Sequence, residues 1–261
     1  MTIIPQERLI IAQKIVEANM KSTYGCYTPL KSPQPPAILG GKGGCLRLGL
    51  QPTVCSIHSS ISYKLKNSRV LLMRQYRTRQ KESLDLAIKS LNYFAEKTLT
   101  VNRIEQLFGI EGTGAAHYFQ ALGDCIAYEE FKLLARSRRP PKNPTNSLLS
   151  FGYQVLWNHL LTLLELQGLD PYYACLHQGS ERHAALASDL IEEFRVPLVD
   201  SFVLWLINSR ILHINYDFRY QNGGCFLNQQ GRKKFLTYWL KRMEEKMGSE
   251  DQPRWDILIP L

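Results

Sequence analysis

The sequence lacks any uninterrupted apolar run of about 18 residues, so no transmembrane helix is expected. It also lacks a secretory signal at its N-terminus. Its six cysteines include no Cys-x-x-Cys pair, which argues against a disulfide scaffold and offers no complete zinc site. We therefore expect a protein of the reducing cytoplasm that does not bind a membrane.

Acidic residues are missing from residues 19–63, a stretch with five prolines and six glycines. Helix and strand are both interrupted there, so a loop is predicted. The glycine run around Lys42 is not a nucleotide-binding Walker loop, because Gly43 stands where Ser or Thr is needed. Joining Ala18 directly to Lys64 would give one amphipathic helix. Residues 19–63 are thus predicted to be an insertion that the fold can lose.

Positive charge is in excess: 32 Lys and Arg stand against 23 Asp and Glu, a net charge of +9. This excess favours a polyanionic partner, although a basic surface that binds nothing has the same composition. A hydrophobic content of 44% is enough for a substantial core.

Apolar residues at helical spacing predict a mainly α fold. Helices are predicted over residues 83–96, 101–108, 114–135, 147–167, 184–195, 198–209 and 229–246. Asn222-Gly223 predicts one short β-hairpin near the C-terminus, between residues 214–220 and 225–227. We expect a helical domain made of residues 1–18 and 64–247, followed by a loose tail over residues 248–261.

An Asp-x-x-Glu pair, Asp189 and Glu192, follows His177 in an otherwise apolar stretch. In a helix these two carboxylates project from one face. Two neighbouring carboxylates repel unless a cation or a proton lies between them, which points to a divalent metal with His177 as a third ligand or proton carrier. The alternative is that the acids form the solvated face of an amphipathic helix and that His177 is a loop residue.

Glu111 is predicted to lie at the mouth of a helix whose next turn carries Gly114 and two alanines. Small residues there let a second helix approach, which would bring Glu111 into a packed interior. Alternatively, Glu111 only complements the positive end of the helix dipole.

A third segment gathers four cations within seven residues beside rigid prolines: Arg136, Arg138, Arg139 and Lys142. Such a loop is suited to grip DNA phosphates. It can equally be a solvated connection between two helices.

Four motifs occur in a fixed order along the chain. They are Glu-Gly-x-x-Ala-Ala-x-Tyr-Phe from Glu111, Arg-x-Pro-x-x-x-Pro-x-Asn-x-Leu-Leu-Ser-Phe-x-Tyr from Arg138, Gly-Leu-Asp-Pro-x-x-x-x-x-His up to His177, and Leu-x-x-Asp-Leu-x-Glu-Glu-Phe-Arg from Leu186. Over roughly residues 64–245 this order resembles the CRISPR-associated spacer-acquisition endonuclease, the integrase of CRISPR adaptation.

The resemblance implies a helical catalytic domain whose metal ligands are Glu111, His177 and Asp189, supported by Glu192. Carboxylates with one imidazole suit Mg²⁺ or Mn²⁺ better than Zn²⁺. The same site would cut DNA with water as nucleophile or join it with a 3′-hydroxyl. Glu193 is then a structural neighbour.

The resemblance also implies partners: double-stranded and branched DNA, and a small ferredoxin-like adaptation protein. Members of the family form homodimers through an N-terminal β-rich domain, whereas Met1 lies almost at the start of the helical domain here. We therefore expect a monomer that nicks DNA weakly and does not carry out paired integration. Two alternatives are a catalytically impaired DNA-binding fragment of that family and an unrelated helical protein that binds RNA.

Overall fold

The computed structural model describes residues 54–101, 103–166, 171–172, 184–247 and 252–253. These residues form a mainly α fold, as predicted. The α-helices in the described part are α1 (Val54–Arg79), α2 (Glu82–Lys97), α3 (Ile104–Asp124), α4 (Pro144–Leu166), α5 (Ala185–Phe194), α6 (Ser201–Asn208), α7 (Ile214–Asp217) and α8 (Gln229–Glu244). None of them combines the length and the hydropathy that crossing a bilayer requires.

The predicted hairpin is confirmed. Strands β1 (Phe218–Gln221) and β2 (Gly224–Leu227) pair antiparallel. Asn222 and Gly223, with φ of 52° and 70°, make the tight turn between them. The first strand is shorter than predicted because residues 214–217 form the single turn α7. Within the predicted tail, β4 (Gln252–Pro253) pairs with β3 (Lys246–Met247).

Helix α1 begins inside the stretch predicted to be an inserted loop. Residues 54–63 are helical, so the prediction that the loop extends to residue 63 is wrong. The physical reason lies in the sequence after Pro52, which contains neither Gly nor Pro and places Val54, Ile57 and Ile61 at helical spacing. Ile61 is 1% exposed and belongs to the core. Residues 1–53 lie outside the described residues.

Helix α3 is one continuous helix, where two helices separated at residues 109–113 were predicted. A Cβ at Gly109 or at Gly112 would meet nothing within 4 Å, so these glycines lie on an open face and cost the helix only their propensity. Leu107 and Ile110, on the opposite face, are buried and hold the helix in place. Glu111 therefore lies in mid-helix, and its predicted position at a helix mouth is wrong.

The same helix ends at Asp124, so the predicted continuation to Ala135 is also wrong. The chain after it returns so closely that a Cβ on Gly123 would lie 2.2 Å from the carbonyl oxygen of Leu133. Gly114 confirms the expected close approach of a second helix, because its Cβ would lie 2.5 Å from Leu65 Cδ2 of α1.

Helices α5 and α6 are joined without a loop by a π-helical segment, Arg195–Asp200. Pro197 has no backbone N–H, so regular α-helical bonding is interrupted there. The Ser201 N–H bonds instead to the carbonyl oxygen of Val196, five residues earlier. This widened turn directs Arg195 and Asp200 into the interior, where both are buried.

The core lies between two groups of helices. Helices α1, α2 and α3 pack on one another, and α4 packs against α5, the π-helical segment and α6. Contacts of α1 with α5 and with the π-helical segment join the two groups. The acidic residues singled out above lie on α3 and α5, the two helices that α1 brings together.

Candidate metal centre and basic loop

A lysine lies at the junction of the two acidic helices. The Lys64 ammonium on α1 forms ion pairs with Glu111 of α3 and, at 2.6 Å, with Oε2 of Glu192 of α5. The Lys64 side chain is only 8% exposed. The fold therefore brings Glu111 and Glu192, which lie 81 positions apart in the sequence, to one cationic group.

Asp189 and Glu192 lie on α5, as the predicted helix requires. Asp189 is 1% exposed, which contradicts the alternative that it belongs to a solvated face. Glu192 is held from a second side by Arg195, whose Nη1 donates a 2.9 Å hydrogen bond to its Oε1. Glu192 is thus oriented by cations from two different elements.

His177 lies outside the described residues, so its place relative to the acids stays a prediction. Among the residues that the structure describes, no three His, Cys, Asp or Glu side chains form a group placed to hold a metal ion. The grouping that the structure does provide is Glu111 and Glu192 around Lys64, with Asp189 one helical turn from Glu192.

Glu193 contacts residues of α1 other than Lys64, the partner of its neighbour Glu192. The Ser60 hydroxyl of α1 donates a 3.4 Å hydrogen bond to Glu193 Oε1, and Asn67 donates to the Glu193 carbonyl oxygen. Burial raises the pKa of Glu193 to about 7, and the Ser60 hydrogen bond opposes that shift. Its contacts fit the structural role that was expected for this residue.

A buried polar network centred on Asp200 is linked to Glu192 through Arg195. Asp200 accepts hydrogen bonds from the hydroxyls of Tyr153 at 2.6 Å and Tyr118 at 2.7 Å. Burial raises the pKa of Asp200 to about 6, although the two hydroxyls and two nearby guanidinium groups stabilise its charged form. The Arg195 guanidinium lies 5.6 Å from the Tyr153 ring centre and so links this network to Glu192.

Arg136, at the start of the basic loop, points inward. Its Nη1 donates to Asn146 Oδ1 at 2.8 Å and its Nη2 to the Ser150 hydroxyl at 3.1 Å, both on α4. Its guanidinium also lies 5.4 Å from the centre of the Tyr153 ring, and burial lowers its pKa. Binding a phosphate would compete with all of these contacts, so Arg136 supports the loop from beneath.

The other three cations of the loop, Arg138, Arg139 and Lys142, are exposed. The loop is anchored where it enters α4, because Asn143 Oδ1 accepts the Asn146 N–H and Pro144 occupies the first helical position. At its other side the Cys225 N–H of β2 donates to the carbonyl oxygen of Pro141. Three exposed cationic side chains are thus presented by a loop whose backbone is anchored by hydrogen bonds.

Lys64, Arg195 and Asp200 are the residues of this region that the sequence analysis missed. A signal for Lys64 was present: with Ile61 and Leu65 it occupies the apolar stripe of α1, where a charged side chain needs a partner. Asp200 carries the same kind of signal, since it interrupts an apolar segment. Neither signal identifies the residues with which Lys64 or Asp200 interacts.

Comparison with known proteins identifies the family to which this helical domain belongs. Residues 51–241 match the family described as CRISPR associated protein Cas1. The chain belongs to that family.

Two relatives show how much of the chain is shared. It is 36% identical over 195 residues to CRISPR-associated endonuclease Cas1 1 of Methanospirillum hungatei, covering 74% of this chain and 58% of the relative. It is 35% identical over 196 residues to CRISPR-associated endonuclease Cas1 of Leptospira interrogans, covering 72% of this chain and 76% of the relative. The chain therefore spans little more than half of the first relative and about three quarters of the second.

Solved structures agree on the fold. A CAS1 protein from Thermotoga maritima superposes with a TM-score of 0.66 at 26% identity, covering 78% of this chain and 60% of that one. A Cas6-RT-Cas1–Cas2 complex gives 0.68 at 27% identity, covering 78% and 22%. A casposase bound to integration product gives 0.68 at 23% identity, covering 79% and 60%, and shows a likeness of fold alone.

Proposed function

We propose that this chain carries a metal-dependent DNA endonuclease and integrase site that inserts spacer DNA into a CRISPR array. The observation that carries the proposal is the meeting of Glu111 and Glu192 at one cation, with the buried Asp189 one turn away on α5. Membership of the Cas1 family, whose relatives are named endonucleases, supports it.

The donor types fit a hard divalent cation. Glu111 and Glu192 offer carboxylate oxygens from two separate helices, at a point where a positive charge is already favoured. Mg²⁺ and Mn²⁺ take such oxygens, and Mn²⁺ accepts an imidazole readily. Glu111, Asp189, Glu192 and His177 would hold the ion. When bound, it would polarise a phosphodiester oxygen and make a water or a 3′-hydroxyl more acidic.

The protein groups around the acids would orient them for that task. Arg195 fixes one oxygen of Glu192, so the other oxygen stays directed at the junction with Glu111. Tyr153, which contacts both Arg195 and Arg136, joins the acids to the base of the basic loop. Arg138, Arg139 and Lys142 would hold the DNA backbone through charge, without reading its sequence.

Partners follow from the same family membership. One matched structure is a complex that contains Cas2, and we propose that this chain likewise acts with a small adaptation partner. Double-stranded and branched DNA are its proposed substrates.

A second candidate function is a DNA-binding fragment of the family that does not cleave. Lys64 favours it, because its ammonium already pairs with two of the carboxylates that a metal ion would need. Metal-dependent cleavage separates the two candidates.

The test is a nicking assay on branched DNA with Mn²⁺, using Glu111→Gln, His177→Ala and Asp189→Asn. Each should abolish cleavage while the dissociation constant for DNA changes little. Glu105→Gln is the matched control, because Glu105 is an exposed acid on α3. Cleavage by the wild type that survives EDTA, or variants that cleave as fast as the control, would contradict the metal site. The alternative of an unrelated helical protein is wrong, because the chain belongs to the Cas1 family.

A further inference from the structure

Lys64 is placed to act as more than a surface charge. Its side chain is 8% exposed, and its ammonium contacts carboxylates of two different helices. On the same helix Lys66 is exposed and lies over the ring of Tyr63. The two lysines, two positions apart, therefore have opposite surroundings. Only Lys64 points to the acidic junction, the place where Glu111 of α3 and Glu192 of α5 meet.

The two carboxylates that Lys64 contacts are balanced by two cations without a metal ion. Glu111 and Glu192 contribute two negative charges, and Lys64 and Arg195 contribute two positive ones. Arg195 is buried and also lies against Tyr153, so it is fixed in place. Lys64 contacts the carboxylates through a flexible four-carbon stem, which can swing away. Of the two cations, Lys64 is the one that can leave.

A divalent cation and the Lys64 ammonium would need the same oxygens. Like charges a few Å apart in a partly buried site repel strongly, and an ammonium within reach of both carboxylates blocks their approach to a metal ion. A site that contains an internal cation has a lower affinity for divalent ions than its carboxylates alone would give.

We propose that Lys64 is an exchangeable counter-ion of the acidic junction, displaced when a divalent cation binds and returning when it leaves. This inference rests on the proposed metal site. It makes Lys64 a positioning residue: without metal it holds α3 and α5 together, and it sets the concentration at which Mg²⁺ or Mn²⁺ takes over.

The first test replaces Lys64 by methionine, which keeps the length of the side chain and removes the charge. Mn²⁺ binding is followed by electron paramagnetic resonance, and thermal unfolding is measured with and without Mn²⁺. Lys64→Met should bind Mn²⁺ about tenfold more tightly than the wild type. It should unfold at a lower temperature without metal and recover when Mn²⁺ is added. Lys66→Met is the control, and it should match the wild type in both measurements.

Two outcomes separate this inference from the metal site itself. If Lys64→Met and the wild type bind Mn²⁺ with the same affinity, the exchange is refuted while the metal site stands. If neither binds Mn²⁺, the proposed function fails and the exchange fails with it.

A second test uses the wild type and does not depend on whether Lys64→Met folds. Lysines are methylated with formaldehyde and cyanoborohydride, and the rate at each position is read by peptide mass spectrometry. Lys64 should react slowly without metal and several-fold faster with saturating Mg²⁺, while Lys66 reacts at the same rate in both. A Lys64 rate that does not change, in protein shown to bind the ion, would overturn the exchange.

Discussion

The Tyr153 hydroxyl donates a 2.6 Å hydrogen bond to Oδ1 of Asp200, a carboxylate that is 1% exposed. Tyr118 serves the other carboxylate oxygen. Because the pKa of Asp200 is about 6, raised chiefly by burial, this residue is mostly charged above neutral pH and needs both donors there.

We therefore predict that Tyr153→Phe lowers the free energy of unfolding by about 1 to 3 kcal/mol at about pH 8, because a buried carboxylate loses a donor. The loss should be smaller near pH 5, where Asp200 is mostly protonated, since the variant raises its pKa further. Urea unfolding at both pH values measures this. Tyr216→Phe, at an exposed tyrosine, should change nothing. Equal stability of Tyr153→Phe and wild type at the higher pH would contradict the role of the bond.

The start of α1 contributes to the folded core through Ile61. Ile61→Ala should cost about 2 to 5 kcal/mol of unfolding free energy, because Ile61 is fully buried in α1. Tyr63→Ala, at a half-exposed side chain two positions later, is the control and should cost far less. Comparable costs for the two variants, measured by thermal or urea unfolding, would indicate that this stretch is a loop, as the sequence predicted. Deleting residues 19–63 as a block should destabilise the protein for the same reason.

Helix α3 differs from its sequence prediction for a physical reason. Helix α2 was predicted nearly to the residue, and the turn of the hairpin at Asn222-Gly223 was predicted correctly, because both follow from local patterns. The first strand of the hairpin was predicted to begin at residue 214, whereas it begins at Phe218. Gly109 and Gly112 instead suggested a break that does not exist, because local propensity is overruled when the opposite face of a helix is well packed. The position of Glu111 was wrong for that reason alone.

The direction in which a charged side chain points does not follow from its position in the sequence. Arg136 and Arg138 stand two residues apart in the same basic run, yet Arg136 is tied to Asn146 and Ser150 while Arg138 is exposed. Lys64 lay at the edge of the predicted loop, and its partners lie on helices far along the chain. Pairings of this kind depend on tertiary structure, which the spacing of one segment does not contain.

Glu193 gives a prediction about pH. Its pKa is raised by burial from 4.5 to about 7, so the folded protein holds the proton more tightly than the unfolded chain does. The stability that this group contributes is present in full below the unfolded value and is lost as the pH rises through about 7. The loss is on the order of 3 kcal/mol.

Glu193→Gln removes this titration. The variant should be more stable than the wild type at about pH 8 and closer to it at about pH 4.5, with a flatter dependence between the two. Unfolding temperatures across this range measure the effect, with Glu105→Gln as an exposed control. A variant whose stability follows the wild-type pH profile would show that Glu193 does not titrate in this range.

The basic loop yields the last prediction, because its cations divide into two groups. Arg138 and Arg139 are exposed, so replacing both by Ala should weaken DNA binding for all sequences and reduce the slope of log affinity against log salt by about two. Arg136→Ala should instead lower the unfolding temperature, because it removes the hydrogen bonds that the guanidinium donates to Asn146 Oδ1 and to the Ser150 hydroxyl. Its effect on the salt slope should be small.

Fluorescence anisotropy with a labelled duplex across a salt series gives the slopes, and Lys89→Ala, at an exposed cation on α2, is the control. If Arg136→Ala changes the slope as much as the loss of an exposed arginine does, Arg136 leaves its contacts on α4 to bind phosphate.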